Sequence, residues 1–210
     1  MANPDKYENG RCIVGYINLN NIENITEEEI LNGMNFYDIS YAVTSIARRG
    51  DNYFIGVGAK DGGIIITDLT LARVTTGSFI SLPDVRDVES YQDGVVALAG
   101  TTDNESSVGK VVTLTESGIN TSTDIDDFNS PYTKATIEVW RGNVALLGLA
   151  EGGIAAMDLN DKSIYFKLAN PDENILHATN SVTADGNLMF SANGEYGFRV
   201  MEVDENKLNS

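Results

Sequence analysis

The sequence is poor in the residue types from which most disulfides, metal sites and catalytic centres are built. Its 210 residues include one cysteine, Cys12, and one histidine, His177. A single cysteine excludes an intramolecular disulfide, and a single histidine excludes multi-histidine metal sites. The sequence also contains neither a G-x-S-x-G turn nor a phosphate-binding loop. We therefore predict that the protein is more readily a binding module than an enzyme.

Basic residues are also scarce. The chain has 14 of them against 31 acidic residues, a formal net charge of −17. Such a charge opposes non-specific binding to nucleic acid and to anionic membranes. No apolar run reaches the roughly 18 residues that a membrane-spanning helix needs, and residues 1–10 lack the apolar segment of a signal peptide. We expect no nucleic-acid partner and no membrane insertion, and a cytoplasmic location is open.

What the sequence does contain is a repeated, glycine-anchored apolar segment. It begins at Gly63 and returns at Gly109 after 46 residues, at Gly153 after 44 and at Gly197 after 44. A period in the forties, made of short apolar strands and turns, is typical of a radial array of β-sheets. The sequence therefore predicts an all-β protein: a β-propeller of four-stranded antiparallel blades, about four to five of them in this chain.

The repeat divides the chain into units, which we interpret as a single propeller domain over 1–210 or as part of a larger propeller. We favour the second, because closed four-bladed rings are uncommon. The predicted units are an incomplete first blade, three full blades and an incomplete last blade, at 1–40, 41–83, 84–130, 131–174 and 175–210.

One helix is expected inside the first unit. Thr26 and Glu29 have the spacing of a capping box, and Gly33 is a suitable stop. This predicts a short helix over 27–32, inserted before an outer strand over 35–39.

A set of channel-side residues is the main candidate for ligand binding. Four residues lie eight or nine positions before the predicted turn glycines of successive units, one of which is Gly94: Tyr41, Arg86, Lys134 and His177. The start of an inner strand faces the propeller channel, where cationic groups would attract an anionic ligand. The alternative is that these side chains pair with neighbouring acids such as Asp84, Asp87 or Glu89.

Two groups of acids have separate interpretations. Asp124, Asp126 and Asp127 form a carboxylate-rich segment that suits calcium, although solvated loop charge is the alternative. The repeated acids Asp68, Asp158 and Glu202 end the third strands, so we interpret them as turn acids that accept from backbone amides. Calcium is thus the one cofactor that the sequence suggests. Trp140 and Tyr132 fit either a sugar-stacking surface or packing between blades.

The third-strand motif, Gly-apolar-x-apolar-x-acidic-apolar, occurs at 63–69, 153–159 and 197–203. It resembles the LVIVD-repeat β-propellers of bacterial cell envelopes, notably in Bacteroidetes, and residues 191–201 match that pattern best. The resemblance covers about 52–203. The copy at 109–115 departs from it, with Leu114 in place of the acid. The resemblance implies a propeller at the cell envelope or outside the cell that binds a protein or a carbohydrate, and it implies no catalytic residues.

Together these features predict a non-enzymatic module that binds a protein or glycan through a propeller face or its loops. The rival hypothesis is a propeller hydrolase or lyase acting on a glycan or small anionic substrate in the channel. That enzyme would use Arg86, Lys134 and His177, and convergence of these side chains on one cavity would favour it.

Overall fold

The structure is a computed structural model that describes part of the chain. Side chains are described for Thr26 and for residues 42–58, 60–68, 79–101, 108–126, 128, 134–169 and 178–204. For 12–16 and 35–39 it describes the backbone. The predicted helix over 27–32 lies outside the described residues.

The described residues form antiparallel β-sheets that follow one another along the chain. A two-stranded sheet pairs β1 (Cys12–Tyr16) with β2 (Asn35–Ile39). Sheet 1 contains β3 (Val43–Arg49), β4 (Asn52–Val57), β5 (Gly63–Asp68) and β6 (Phe79–Ser81). Sheet 2 contains β7 (Val85–Tyr91), β8 (Gly94–Ala99), β9 (Gly109–Thr115) and β10 (Gly118–Ile125).

Two further sheets complete the described chain. Sheet 3 contains β11 (Thr136–Trp140), β12 (Val144–Gly148), β13 (Ile154–Asp158) and β14 (Ile164–Leu168). Sheet 4 has three described strands, β15 (Ser181–Asp185), β16 (Leu188–Ala192) and β17 (Phe198–Glu202), with a 3-10 turn at Gly194–Tyr196. In each sheet the strands pair in chain order, as in the meander of a propeller blade.

The sequence of the middle strands explains why they lie inside. Every residue of β8, β12 and β13 is buried. A strand that is apolar at every position, rather than at alternate ones, needs a cover on both faces, and a neighbouring sheet on each side supplies it. The outer strands β6 and β14 are mainly exposed. The core therefore lies between successive sheets.

The sheets converge on their first strands. β3 contacts β7, β7 contacts β11, and β11 contacts β15. Because the first strand of each sheet meets the first strand of the next, the sheets radiate from a common centre. The β-propeller of four-stranded antiparallel sheets predicted from the repeat is thus confirmed.

Hydrogen bonds between inner strands repeat around the array. In each of these bonds, a side-chain oxygen on the first strand of one sheet accepts from a backbone N–H on the first strand of the next sheet. The pairs are Ser45 with Val88 (3.2 Å), Asp87 with Ile137 (3.0 Å), Thr136 with Val182 (3.2 Å) and Glu138 with Ala184 (3.2 Å). Sheet packing thus fixes the neighbour's backbone as well as covering its apolar side chains.

One turn differs from the prediction made for it. Gly94 is the first residue of β8 and not a turn glycine. The turn before it contains Gln92 in the left-handed region, with φ of 47°. A Cβ on Gly94 would collide with the Leu114 carbonyl oxygen, so this glycine permits close approach of β8 to β9.

Candidate functional site

The predicted channel residues do not share one environment in the part of the chain that the structure describes. Arg86 is 7% exposed and forms an ion pair with Asp84, which is 2% exposed. Its guanidinium carbon also lies 6.0 Å from the centre of the Phe128 ring. Lys134 is exposed, two residues before β11. Tyr41 and His177 lie outside the described residues. Arg86 thus pairs with a neighbouring acid, which was the alternative to binding an anionic ligand.

Local backbone geometry places this ion pair. The pairing of β7 with β8 shifts register between Val85 and Asp87, which makes Arg86 the extra residue of a β-bulge. Asp84 has φ of 55°, in the left-handed region that aspartate tolerates better than most residues. A Cβ on Gly100 would come within 2.6 Å of the Arg86 Nε atom. The pair therefore fits because Gly100 leaves room beside it.

Acidic groups accompany Arg86 on the inner strands. Burial raises the pKa of Glu89, and the carboxylates of Asp87 and Glu138 raise it further, although a hydrogen bond from the Ser90 backbone lowers it. Three carboxylates on β7 and β11 therefore interact across neighbouring sheets. This arrangement differs from the cationic channel entrance that the sequence suggested, and binding of an anion there stays a prediction.

Lysines contact both of the described residues that were proposed for calcium, at the carboxylate of Asp124 and at the backbone of Asp126. Asp124 Oδ1 accepts a hydrogen bond from Lys110 Nζ at 2.6 Å, across the β9–β10 pair. Lys167 Nζ donates to the backbone carbonyl of Asp126 at 2.8 Å. Asp127 lies outside the described residues, and within the described ranges no three His, Cys, Asp or Glu side chains group as metal ligands do. Calcium binding stays a prediction.

Asp158, one of the third-strand acids, accepts several hydrogen bonds. Its carboxylate accepts from the Tyr165 hydroxyl at 2.6 Å and from the Asn143 amide at 3.2 Å. It also accepts from the backbone N–H of Asn160 at 2.6 Å. Asp158 therefore organises the turn that leads into β14, as the turn-acid interpretation predicted for this position. Glu202, in contrast, is exposed.

These bonds make the stability of the fold depend on pH. The hydrogen bond from Tyr165 holds the pKa of Asp158 below its usual value, with backbone bonds adding to it against the effect of burial. A carboxyl whose pKa is lower in the folded state stabilises the fold above its unfolded pKa of about 3.9, and that stability disappears as pH falls through the folded pKa. We expect Tyr165→Phe to raise the pKa of Asp158 and so to reduce the loss of folding stability at acid pH.

Urea unfolding measured from neutral pH to about pH 3 checks this expectation. Tyr53→Phe, which removes the hydroxyl of a half-buried tyrosine in sheet 1, is the matched control and should leave the acid profile unchanged. Equal profiles for both variants would contradict the assigned role. At the alkaline end, the same bond raises the pKa of Tyr165 to about 12. Its contribution is therefore complete below about pH 10 and is lost toward pH 12.

A cleft of about 330 Å³ lies between sheets 2 and 3, next to the Asp158 turn. Tyr91 lines this cleft, and its hydroxyl accepts from Gln92 Nε2 at 2.8 Å and donates to Asn160 Oδ1 at 3.4 Å. Burial raises the pKa of Tyr91, the charge of Asp158 adds to this effect, and the bond from Gln92 lowers it. The hydroxyl is therefore a neutral hydrogen-bonding group at ordinary pH.

The lining of the cleft combines polar and apolar residues. Thr113 and Thr121 contribute hydroxyls that lie 2.7 Å apart. Asn120 is the extra residue where β10 shifts register against β9, and its side chain is exposed at the rim. Apolar surface in the lining comes from Tyr91 and Leu159, which belong to the cluster that packs sheet 2 against sheet 3. Lys162 lines the cleft too, but its ammonium donates to the Leu159 carbonyl.

None of these cleft residues was singled out from the sequence as a ligand-binding group. Gln92, Asn120 and Asn160 lie far apart in the chain, in or beside turns, where amide side chains are ordinary. The packing of sheet 2 against sheet 3 brings Asn160 next to the two residues of sheet 2.

Trp140, one of the two residues suggested for a sugar-stacking surface, is packed between sheets. It is 6% exposed and belongs to an apolar cluster with Leu146 and Met189. Its Nε1 donates to the Gly186 carbonyl of sheet 4 at 3.1 Å, and the Arg141 guanidinium lies 4.2 Å from the ring centre. Trp140 therefore packs between blades, which is one of the two interpretations that the sequence allowed.

Comparison with known proteins identifies the fold. No protein-family model matches the sequence, and no curated protein sequence matches it. The chain superposes on the Dos1 propeller with a TM-score of 0.60 at 14% identity, covering 92% of this chain and 52% of that one. For BamB from Moraxella catarrhalis the TM-score is 0.56 at 13% identity, with 80% and 52% covered.

A computationally designed protein, Ika4, gives a TM-score of 0.55 at 16% identity, and the match covers 78% of this chain and 92% of Ika4. At these identities the likeness shows the fold alone. The chain spans about half the length of Dos1 and BamB. Among the residues that the structure describes, there is also no helix with the length and apolar character of a membrane span.

Proposed function

We propose that this protein is a non-catalytic binding module that takes a neutral carbohydrate into the cleft between sheets 2 and 3. The carrying observation is the composition of that cleft: amide and hydroxyl groups lie beside the apolar surface of Tyr91 and Leu159. Binding pockets combine apolar surface with a few convergent polar groups. A sugar presents hydroxyls at its edge and C–H groups on its faces, so both parts of the cleft have a matching surface.

Charge favours a neutral ligand over an anionic one. The whole chain carries −17, and Asp93 lines the cleft together with the amides. Among the described residues of the lining, the one lysine, Lys162, already donates to a backbone carbonyl. An anion would therefore meet repulsion without a dedicated cationic partner, whereas amides and hydroxyls bind uncharged hydroxyl groups without that cost.

The location and the relatives of the protein belong to the same proposal. The third-strand motif supports a relation to LVIVD-repeat propellers, and through it a place at the bacterial envelope or outside the cell. We also propose that the chain consists of propeller units at 1–40, 41–83, 84–130, 131–174 and 175–210. A protein partner on the same face is the alternative occupant of the cleft.

The test is binding of neutral oligosaccharides from a glycan array, followed by calorimetric titration of those that bind. We expect Gln92→Ala combined with Asn160→Ala to weaken binding about tenfold. Each variant removes a hydrogen bond of about 0.5–1.5 kcal/mol, and 1.4 kcal/mol corresponds to a factor of ten.

Asn187→Ala is the matched control, because Asn187 is also an exposed turn asparagine and accepts from Arg141 at the next sheet boundary. It should leave the affinity within twofold of the original. If the array yields no saccharide, the proposal fails. It also fails if a saccharide binds equally well to the double variant and to the control.

A further inference from the structure

We propose that the exposed face of sheet 4 is an interface for a second copy of this chain, and that two copies complete one ring. The face consists of four apolar side chains, Leu188, Phe190, Phe198 and Val200, which we call the sheet 4 face. Leu188 is 43% exposed, Phe198 64% and Val200 55%. The rings of Phe190 and Phe198 stack with their centres 5.8 Å apart.

The sheet register shows what covers this face elsewhere in the molecule. Leu188 pairs with Glu202 and Phe190 with Val200, just as Val144 pairs with Asp158 and Leu146 with Ala156 in sheet 3. The corresponding face of sheet 3 is therefore Val144, Leu146, Ile154 and Ala156. All four are at most 5% exposed and form one cluster with Val182 and Met189 of sheet 4.

Sheets 1 and 2 repeat the arrangement. Phe54, Ile64 and Ile66 of sheet 1 are at most 1% exposed and pack against the valines of sheet 2. Val96, Leu98 and Val111 of sheet 2 pack against sheet 3 in the same way. The sheet 4 face thus continues an interface that the chain forms three times. Its natural cover is a further propeller sheet, since a contiguous exposed apolar surface of this kind marks an association site.

A second copy of these 210 residues can supply that sheet. The chain spans 52% of the length of Dos1 and 52% of that of BamB, so two copies supply as much sheet as one such propeller. At the other end of the row, the two-stranded sheet contacts β3 through β1. A twofold arrangement sets the sheet 4 face of each copy against the two-stranded sheet of the other and closes the array. This proposal is independent of the cleft and its ligand.

The test is the mass of the 210-residue protein in solution, measured by sedimentation equilibrium over a range of concentrations. We expect twice the chain mass of 22.7 kDa. Phe198→Glu should weaken the dimer at least thirtyfold, because a charge replaces a central aromatic contact and interface hot spots contribute about 2 kcal/mol or more. Leu188→Lys, on the neighbouring strand, should act in the same direction.

Ile119→Glu is the matched control, since Ile119 is 46% exposed on the outer strand β10, away from the sheet 4 face. It should remain dimeric, and far-UV circular dichroism should show all three variants folded. A wild-type mass of one chain at every concentration would overturn the proposal. That mass is expected if the chain's own two-stranded sheet covers the sheet 4 face. A dimer that withstands both Phe198→Glu and Leu188→Lys, or a larger open-ended assembly, would also overturn the proposal.

Discussion

Asp84→Asn should destabilise the protein by about 3–5 kcal/mol, the cost of removing one partner from a buried ion pair. Asp84 and Arg86 are almost inaccessible to solvent, so water cannot replace the lost carboxylate. Asparagine keeps the size of the side chain and tolerates the left-handed backbone at this position. The effect therefore reports the lost charge and not a strained turn. Denaturant unfolding measures it.

An exposed pair provides the control for this experiment. Lys110 and Asp124 are 42% and 60% exposed, and ion pairs in solvent contribute about 0–1 kcal/mol. Asp124→Asn should therefore change the free energy of unfolding by less than about 1 kcal/mol. Equal effects of Asp84→Asn and Asp124→Asn would contradict the distinction between the buried and the exposed pair.

A second substitution, Arg86→Met, distinguishes a structural role of Arg86 from a role in ligand binding. Combining Asp84→Asn with Arg86→Met removes both charges and keeps an apolar chain against Phe128, so most of the lost stability should return. If Arg86 acted mainly on a ligand, Arg86→Met would abolish binding while stability barely changed. The double-variant cycle thus tests the role of Arg86 that the sequence left open.

The architecture could be predicted from the sequence because its cause is local. Glycines recurring at 44 to 46 residues and strands that are apolar at every position specify sheets covered on both faces. The register within one blade was harder to predict. Gln92 adopts a left-handed conformation that glycine usually takes, and so Gly94 was wrongly assigned to the turn.

The site was less predictable, because its cause is the packing of distant segments. Asp84 could be named as a partner of Arg86, since both residues lie within three positions of each other. The cleft could not be found in that way. Tyr91 and Asn160 are 69 residues apart and meet only because sheet 2 packs on sheet 3. No pattern in either segment shows which turn of the next blade it will face.

Trp140→Ala should have an effect as large as that of the buried ion pair, about 3–5 kcal/mol, because truncating a buried tryptophan removes its apolar contacts and leaves a cavity. The ring lies at the boundary between sheets 3 and 4 and is 6% exposed. Since Trp140 is the only tryptophan, unfolding must be followed by far-UV circular dichroism. The dependence on denaturant should keep its slope while its midpoint falls.

Trp140→Phe divides this effect into its parts. Phenylalanine keeps most of the apolar contact with Leu146 and Met189 but loses the donor to the Gly186 carbonyl. The expected loss is therefore smaller than for Trp140→Ala, because one hydrogen bond contributes about 1 kcal/mol net. A sugar-stacking tryptophan would behave in the opposite way: alanine would abolish ligand binding and barely change stability. The ratio of the two losses therefore decides between the interpretations, since only a packed ring makes stability depend on side-chain volume.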